Sequence, residues 1–233
     1  MPPGERTVGQ LVAETIRAYG ASFWRTLPLG LPFAAATQIG LGRSVDFQTA
    51  ALLALAPLVA LAFVVACRLV VGGRATPTAY VVALLVFLPV PFLVRAWVLP
   101  ALAWLALFGL AVPAAMTEGL GFRQALARGR RLAFADYIHA LGSLCALAIV
   151  VVLSELTLIA LLRTQGENGA RVAHLLADLV LTPLLYLGGA LLYFDQSARV
   201  GSRRHNRRRR RDADLHPPLD ADSTGGADAQ VEP

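Results

Sequence analysis

The chain has 233 residues, 56% of them hydrophobic and only 15% charged, whereas a soluble domain carries about a quarter charged residues. With a mean hydropathy of +0.59 the body is too apolar to be coated by water, so it is predicted to be coated by lipid. The net charge of +6 and a pI near 10.1 raise a nucleic-acid partner as a possibility, and the placement of that charge argues against it.

At the N-terminus, residues 1–20 carry Glu5, Arg6, Glu14 and Arg17 and lack an apolar run followed by small residues, so no cleaved signal peptide is expected. From Thr7 to Tyr19, Val8, Leu11, Val12, Ile16 and Tyr19 recur at helical spacing. Thr7 and Gln10 have capping-box spacing, and Gly20 suits a helix end. This gives an amphipathic helix within residues 1–22, expected to lie in the interface without spanning.

A helix that crosses the hydrocarbon needs about 20 apolar residues. Phe47 to Cys67, Ala75 to Val94 and Ala96 to Thr117 are charge-free stretches of that length. Tyr137 to Leu162 is interrupted only by Glu155, and Val172 to Phe194 by His174 and Asp178. Thr26 to Gly42 is shorter and holds Pro28 and Pro32, with Trp24 and Arg25 placed to anchor one end. The predicted fold is therefore an all-α membrane bundle over residues 23–198, with six spans near 24–42, 48–67, 76–94, 97–117, 137–162 and 172–194. Prolines inside these runs read as kinks that neighbouring helices tolerate. The turn between the third and fourth spans falls either at Leu88-Pro89-Val90-Pro91 or nearer Arg95. Residues 118–134 place Phe122, Ala125, Leu126 and Ala133 on one side and Arg123, Arg128, Arg130 and Arg131 mostly on the other. Such a basic amphipathic helix lies in the interface beside anionic headgroups; the alternative is a soluble helix in a loop. Cys67 and Cys145 fall in apolar runs and read as small hydrophobes.

Arginine placement predicts orientation, since all 21 basic residues are Arg. With the N-terminus inside, the inner segments hold Arg6, Arg17, Arg25, Arg68, Arg74, Arg123, Arg128, Arg130 and Arg131, and the outer loops hold Arg43, Arg95, Arg163 and Arg171. The bias puts both ends in the cytoplasm. Residues 199–233 are predicted to be a disordered cytoplasmic tail, basic from Arg203 to Arg211 and acidic beyond. The basic run contains no aromatic residue to stack on bases, so an anionic leaflet is the expected partner rather than nucleic acid.

Around the fourth span, Pro113, Glu118-Gly119, Gly121, Ala125-Leu126, Arg128 and Leu132 together resemble a pattern from bacterial membrane proteins related to the membrane domain of glycerophosphoryl diester phosphodiesterases. Gly129 departs from it, since Ser is usual there. Leu191 to Arg199, with Tyr193-Phe194-Asp195, is similar to the family's closing motif and departs at Ser197, where Arg is usual. The resemblance covers most of residues 7 to 200. It implies a multi-pass protein of the bacterial cytoplasmic membrane, here without the catalytic domain, and no particular activity.

No HExxH, GxSxG, GxGxxG, P-loop or CxxC pattern occurs, and the four histidines (His139, His174, His205, His216) are scattered, so no metal or cofactor is expected. Intramembrane charges are the strongest functional pointers because each is costly in lipid. Glu155 and Asp178 fall at similar depth in the outer half of consecutive spans, roughly 10 Å in at ~1.5 Å per residue, and Arg95 caps the turn before the fourth span. The two carboxylates either face a cavity as a polar transport site or are structural, with Glu155 or Asp178 paired to Arg95 or the carboxylates hydrogen-bonded within the bundle. Glu118 is placed at a helix N-terminus, where the dipole favours a carboxylate. The leading expectation is a non-enzymatic protein with a structural, lipid-associated or accessory role; the rival is a small permease using Glu155 and Asp178.

Overall fold

The computed structural model describes residues 6–162 and 167–215, with Glu167 and 203–215 as backbone alone. Among the described residues the fold is entirely helical. Five helical segments are long and apolar enough to cross a membrane: Val45–Val71, Pro77–Ala96, Val98–Glu118, Tyr137–Leu162 and Asn168–Ser202.

Helix α1 (Val8–Ala21) starts at the expected capping box, with the Gln10 amide donating to the Thr7 hydroxyl and the Thr7 amide donating to Gln10 Oε1. It runs one residue past Gly20 and is capped at Ser22. Its apolar face is turned inward: Leu11 and Thr15 are fully buried, and α1 packs on the two C-terminal helices.

The segment 24–42 is not one helix. Pro28 and Pro32 divide it into α2 (Phe23–Thr26), a 3-10 turn over Leu27–Gly30 and α3 (Leu31–Gly40), because each proline removes a backbone donor. These pieces continue the course of α1 along the last helix, α11 (Glu167–Leu215). The Arg6 carbonyl accepts from Arg199, Thr15 lies over Gly188, Gly30 lies on Leu179, and the Gln38 side chain donates to the Arg171 carbonyl. The contacts fall in strict antiparallel order, over roughly 42 Å of α11 at ~1.5 Å per residue. One passage through the bundle is thus made of α1 to α3, and residues 6 and 199 share one end, here the proximal end. A side chain at Gly30 would place its Cβ 2.3 Å from the Leu179 carbonyl oxygen. Small residues commonly allow such backbone approach between membrane helices.

Helix α4 (Val45–Val71) keeps Pro57 within its length and ends on Gly72 at φ 70°. The third passage is α5 (Pro77–Phe87) and α6 (Val90–Ala96), kinked at Leu88-Pro89. The reversal comes after Arg95, at the extended Trp97, so the second of the two expected positions for that turn is the right one. The return passage is α7 (Val98–Phe108) and α8 (Ala111–Glu118), with Trp104 Nε1 donating to the Val86 carbonyl at 2.9 Å. Helix α9 (Phe122–Ala133) then folds back along α8 and α7, and α10 (Tyr137–Leu162) pairs with α11.

Helix α11 carries on past 199, where the tail was expected to begin, through Leu215. Between Ser202 and His216 there is no Gly or Pro to stop it, and Arg is a good helix former. Residues 216–233, where the tail was expected to continue, and residues 163–166 lie outside the described residues.

Candidate functional site

Charged side chains in the bundle gather in two places, at its proximal and distal ends. At the proximal end Arg199 is the hub. Its Nε donates to Asp195 Oδ2 at 2.9 Å, Nη1 to Asp136 Oδ2 at 2.7 Å and Nη2 to the Arg6 carbonyl at 2.8 Å. The fixed fork of guanidinium donors suits such multiple pairing. His139 Nε2 lies 3.0 Å from Asp195 Oδ2, and Gln196 Nε2 donates to the Asp136 carbonyl. Asp195 is fully buried, so its charge depends on these partners. One cation ties together the start of α1, the α9–α10 turn and α11.

Beside it is a second network. Arg128 Nε donates to both oxygens of Glu118, at 2.8 and 3.1 Å. The Tyr193 hydroxyl donates to Glu118 Oε1 at 3.1 Å and contacts the Thr117 hydroxyl at 2.7 Å. Glu118 is therefore not at a helix N-terminus. It is the last residue of α8, before Gly119 at φ 62°, where the dipole disfavours a carboxylate and Arg128 and Tyr193 compensate. The sequence stretch around Glu118 and Arg128 and the stretch around Tyr193 and Asp195 meet here, although they are some 75 residues apart. Pro113, Ala125 and Gly129 are buried where α8 and α9 cross, and Leu126 packs against the same core. A Cβ on Gly129 would lie 2.6 Å from the Ala111 backbone nitrogen, so the crossing leaves no room for a side chain there.

At the distal end Arg95 parts from the two carboxylates expected to share its site, while Glu155 and Asp178 stay close, with His174 between them. Arg95 pairs with Asp46, not with Glu155 or Asp178. The two sit at facing helix ends, Arg95 in the last turn of α6 and Asp46 in the first turn of α4, where the dipoles favour those charges. Glu155 is bonded to His174 at 3.1 Å. The Thr37 hydroxyl donates to Asp178, which is buried. His174 and Asp178 are four residues apart and so share a face of α11. Thr37, His174, His139 and Asp136 were missed as site residues. The four-residue spacings of His174 with Asp178 and of Asp195 with Arg199 are legible in the sequence; the contacts of Thr37 with Asp178, Asp136 with Arg199 and His139 with Asp195 join distant segments.

On α9, Arg123, Arg130 and Arg131 are exposed, while Arg128 is turned to Glu118. Among the described residues no three His, Cys, Asp or Glu side chains are grouped to hold a metal ion.

Between the two charged ends is a cavity of about 240 Å³ walled by α3, α4, α5, α6, α7, α10 and α11. Thr182 and Tyr186 are among its lining residues, and among the described residues no charged side chain lines it. No protein-family model, curated protein or solved structure matches the chain.

Proposed function

We propose that this is a non-enzymatic, lipid-associated protein of the bacterial cytoplasmic membrane, with both ends in the cytoplasm, akin to the membrane domain of glycerophosphoryl diester phosphodiesterases. The observation that carries the reading is the division of labour inside the bundle. Charged groups are closed into pairs at its ends, and the open space between them is apolar. A conduit for a polar solute needs the reverse, with polar groups facing the void. Exposed Arg123, Arg130 and Arg131 suit anionic headgroups, at about 1 kcal/mol per Arg near a charged leaflet.

The test is lipid profiling of a deletion strain, together with lipid analysis of the protein purified in native nanodiscs. The expected result is enrichment of anionic lipid with the protein, reduced when Arg130 and Arg131 are changed to Gln. A lipid complement indistinguishable from bulk membrane in both would overturn it. Reporter fusions at Gly201 test the orientation, and activity only outside the cell would reverse it.

One observation favours the permease reading: Glu155, His174 and Asp178 form a titratable series on facing helices. It expects Glu155→Gln and Asp178→Asn to yield abundant protein that fails to complement the deletion.

A further inference from the structure

Acid and base are unevenly shared at the proximal end. The carboxylates described there are already paired: Glu14 with Arg6, Glu118 with Arg128, and Asp136 and Asp195 with Arg199. On α9, Arg123, Arg130 and Arg131 are exposed and have no carboxylate partner among the described residues. The missing acid is in the chain itself. Residues 216–233 contain Asp220, Asp222, Asp228 and Glu232 and neither Lys nor Arg.

The end of the last helix puts those acids within reach of α9. Arg130 and Arg131 are in the last turn of α9, and the turn that follows brings Asp136 onto Arg199 of α11. From Arg199, α11 runs on to Leu215, roughly 24 Å at ~1.5 Å per residue. At up to ~3.3 Å per residue of extended chain, Asp228 can lie roughly 43 Å from Leu215, enough to return the whole way to α9. Asp220 and Asp222 fall short of that and come level with the arginine run of positions 203–211. Pro217-Pro218 stand where the helix would otherwise carry straight on. Exposed ion pairs are weak singly, but a tether of this length holds its acids at an effective concentration in the millimolar range.

Resting on the lipid-associated reading, we infer that residues 216–233 turn back at Pro217-Pro218 and dock on α9, where Asp228 and Glu232 pair with Arg130 and Arg131 and withhold them from anionic headgroups. The acidic segment is then a competitor built into the chain. A strongly anionic leaflet displaces it, and a neutral one leaves it in place.

The test is a pulsed-EPR distance between spin labels at Ala127, exposed on α9 one turn before the arginine pair, and at Gln230. It uses the full chain in a Cys67→Ala, Cys145→Ala background, one copy per phosphatidylcholine nanodisc. A short, narrow distribution is expected. It should lengthen and broaden in Asp228→Asn, Glu232→Gln, in Arg130→Gln, Arg131→Gln, and in about 1 M NaCl, where the Debye length is about 3 Å. In discs that also contain phosphatidylglycerol, Asp228→Asn, Glu232→Gln is expected to hold that lipid about fivefold more tightly than the wild type, the worth of one arginine near a charged leaflet. The same distribution in the wild type and in Asp228→Asn, Glu232→Gln overturns the inference. So does a short distance that survives Arg130→Gln, Arg131→Gln, which leaves the segment on the arginine run of α11. A short distance confined to discs holding two copies overturns it as well, by assigning the segment to a neighbouring copy. If the short distance is found but neither protein prefers phosphatidylglycerol to phosphatidylcholine, the docking stands and the lipid-associated reading falls.

Discussion

The proximal and distal ends of the bundle handle charge in opposite ways. At the proximal end Asp195 is fully buried and Arg199 largely so; they pair with each other one turn apart, and their other partners come from distant segments. At the distal end Arg95 and Asp46 keep 49% and 80% of their side chains exposed and Glu155 and His174 about a third each, and the buried Asp178 is held by a neutral hydroxyl, that of Thr37, not by a cation of its own. Burial raises the electrostatic stakes, since an ion that loses its partner in low dielectric has no water to fall back on. The proximal network is thus the clasp that holds α1, α9, α10 and α11 in register, and the distal pairs trim the ends of helices whose position is set by apolar packing.

The contrast is most sharply broken by Arg199→Ala, which removes the guanidinium shared by Asp195 and Asp136. The expected loss is about 3–5 kcal/mol, seen as a fall in the midpoint of thermal unfolding in detergent and in the yield of monodisperse protein. A near-normal midpoint would mean that the clasp is dispensable. Next in size is Gly129→Ser, which adds a side chain where α8 and α9 cross. With Ala111 in the way, the expected cost is about 1–3 kcal/mol from overpacking, measured by the same unfolding midpoint; a gain in stability would show that α8 and α9 move apart freely. The smallest effect belongs to the distal end. Arg95→Ala removes a solvent-exposed pair and is expected to change stability by less than about 1 kcal/mol, because no buried carboxylate depends on it. A loss as large as that of Arg199→Ala would erase the distinction between the two ends.

Much of this bundle was legible because lipid imposes a length on every apolar helix. The stretches 48–67, 137–162 and 172–194 each fall inside a continuous helix. The Thr7–Gln10 capping box marked the start of α1 for a local reason, since both partners lie within one turn. Where the reading failed, the deciding contacts were long-range. Glu118 followed by Gly119 signals a helix end as readily as a start near one, and only the left-handed glycine resolves it. Arg95 was assigned to Glu155 and Asp178 by depth alone, and depth does not say which helices are neighbours.

The sequence by itself determined that the chain is an all-helical membrane bundle, roughly where its helices run, and which residues stand out as costly in lipid, because hydrophobic length and helical period are properties of contiguous residues. Only the tertiary structure decided how those residues are partnered. It turned the amphipathic face of α1 into the bundle, built one passage from α1, α2 and α3 around Pro28 and Pro32, and sent Arg95 to Asp46. It also opened an apolar cavity between the two charged ends. The physical reason is common to all of these. A helix can bury any side of itself that finds a complementary neighbour, and which neighbour that is depends on contacts between residues far apart in the chain, such as Thr37 with Asp178 and Tyr193 with Glu118.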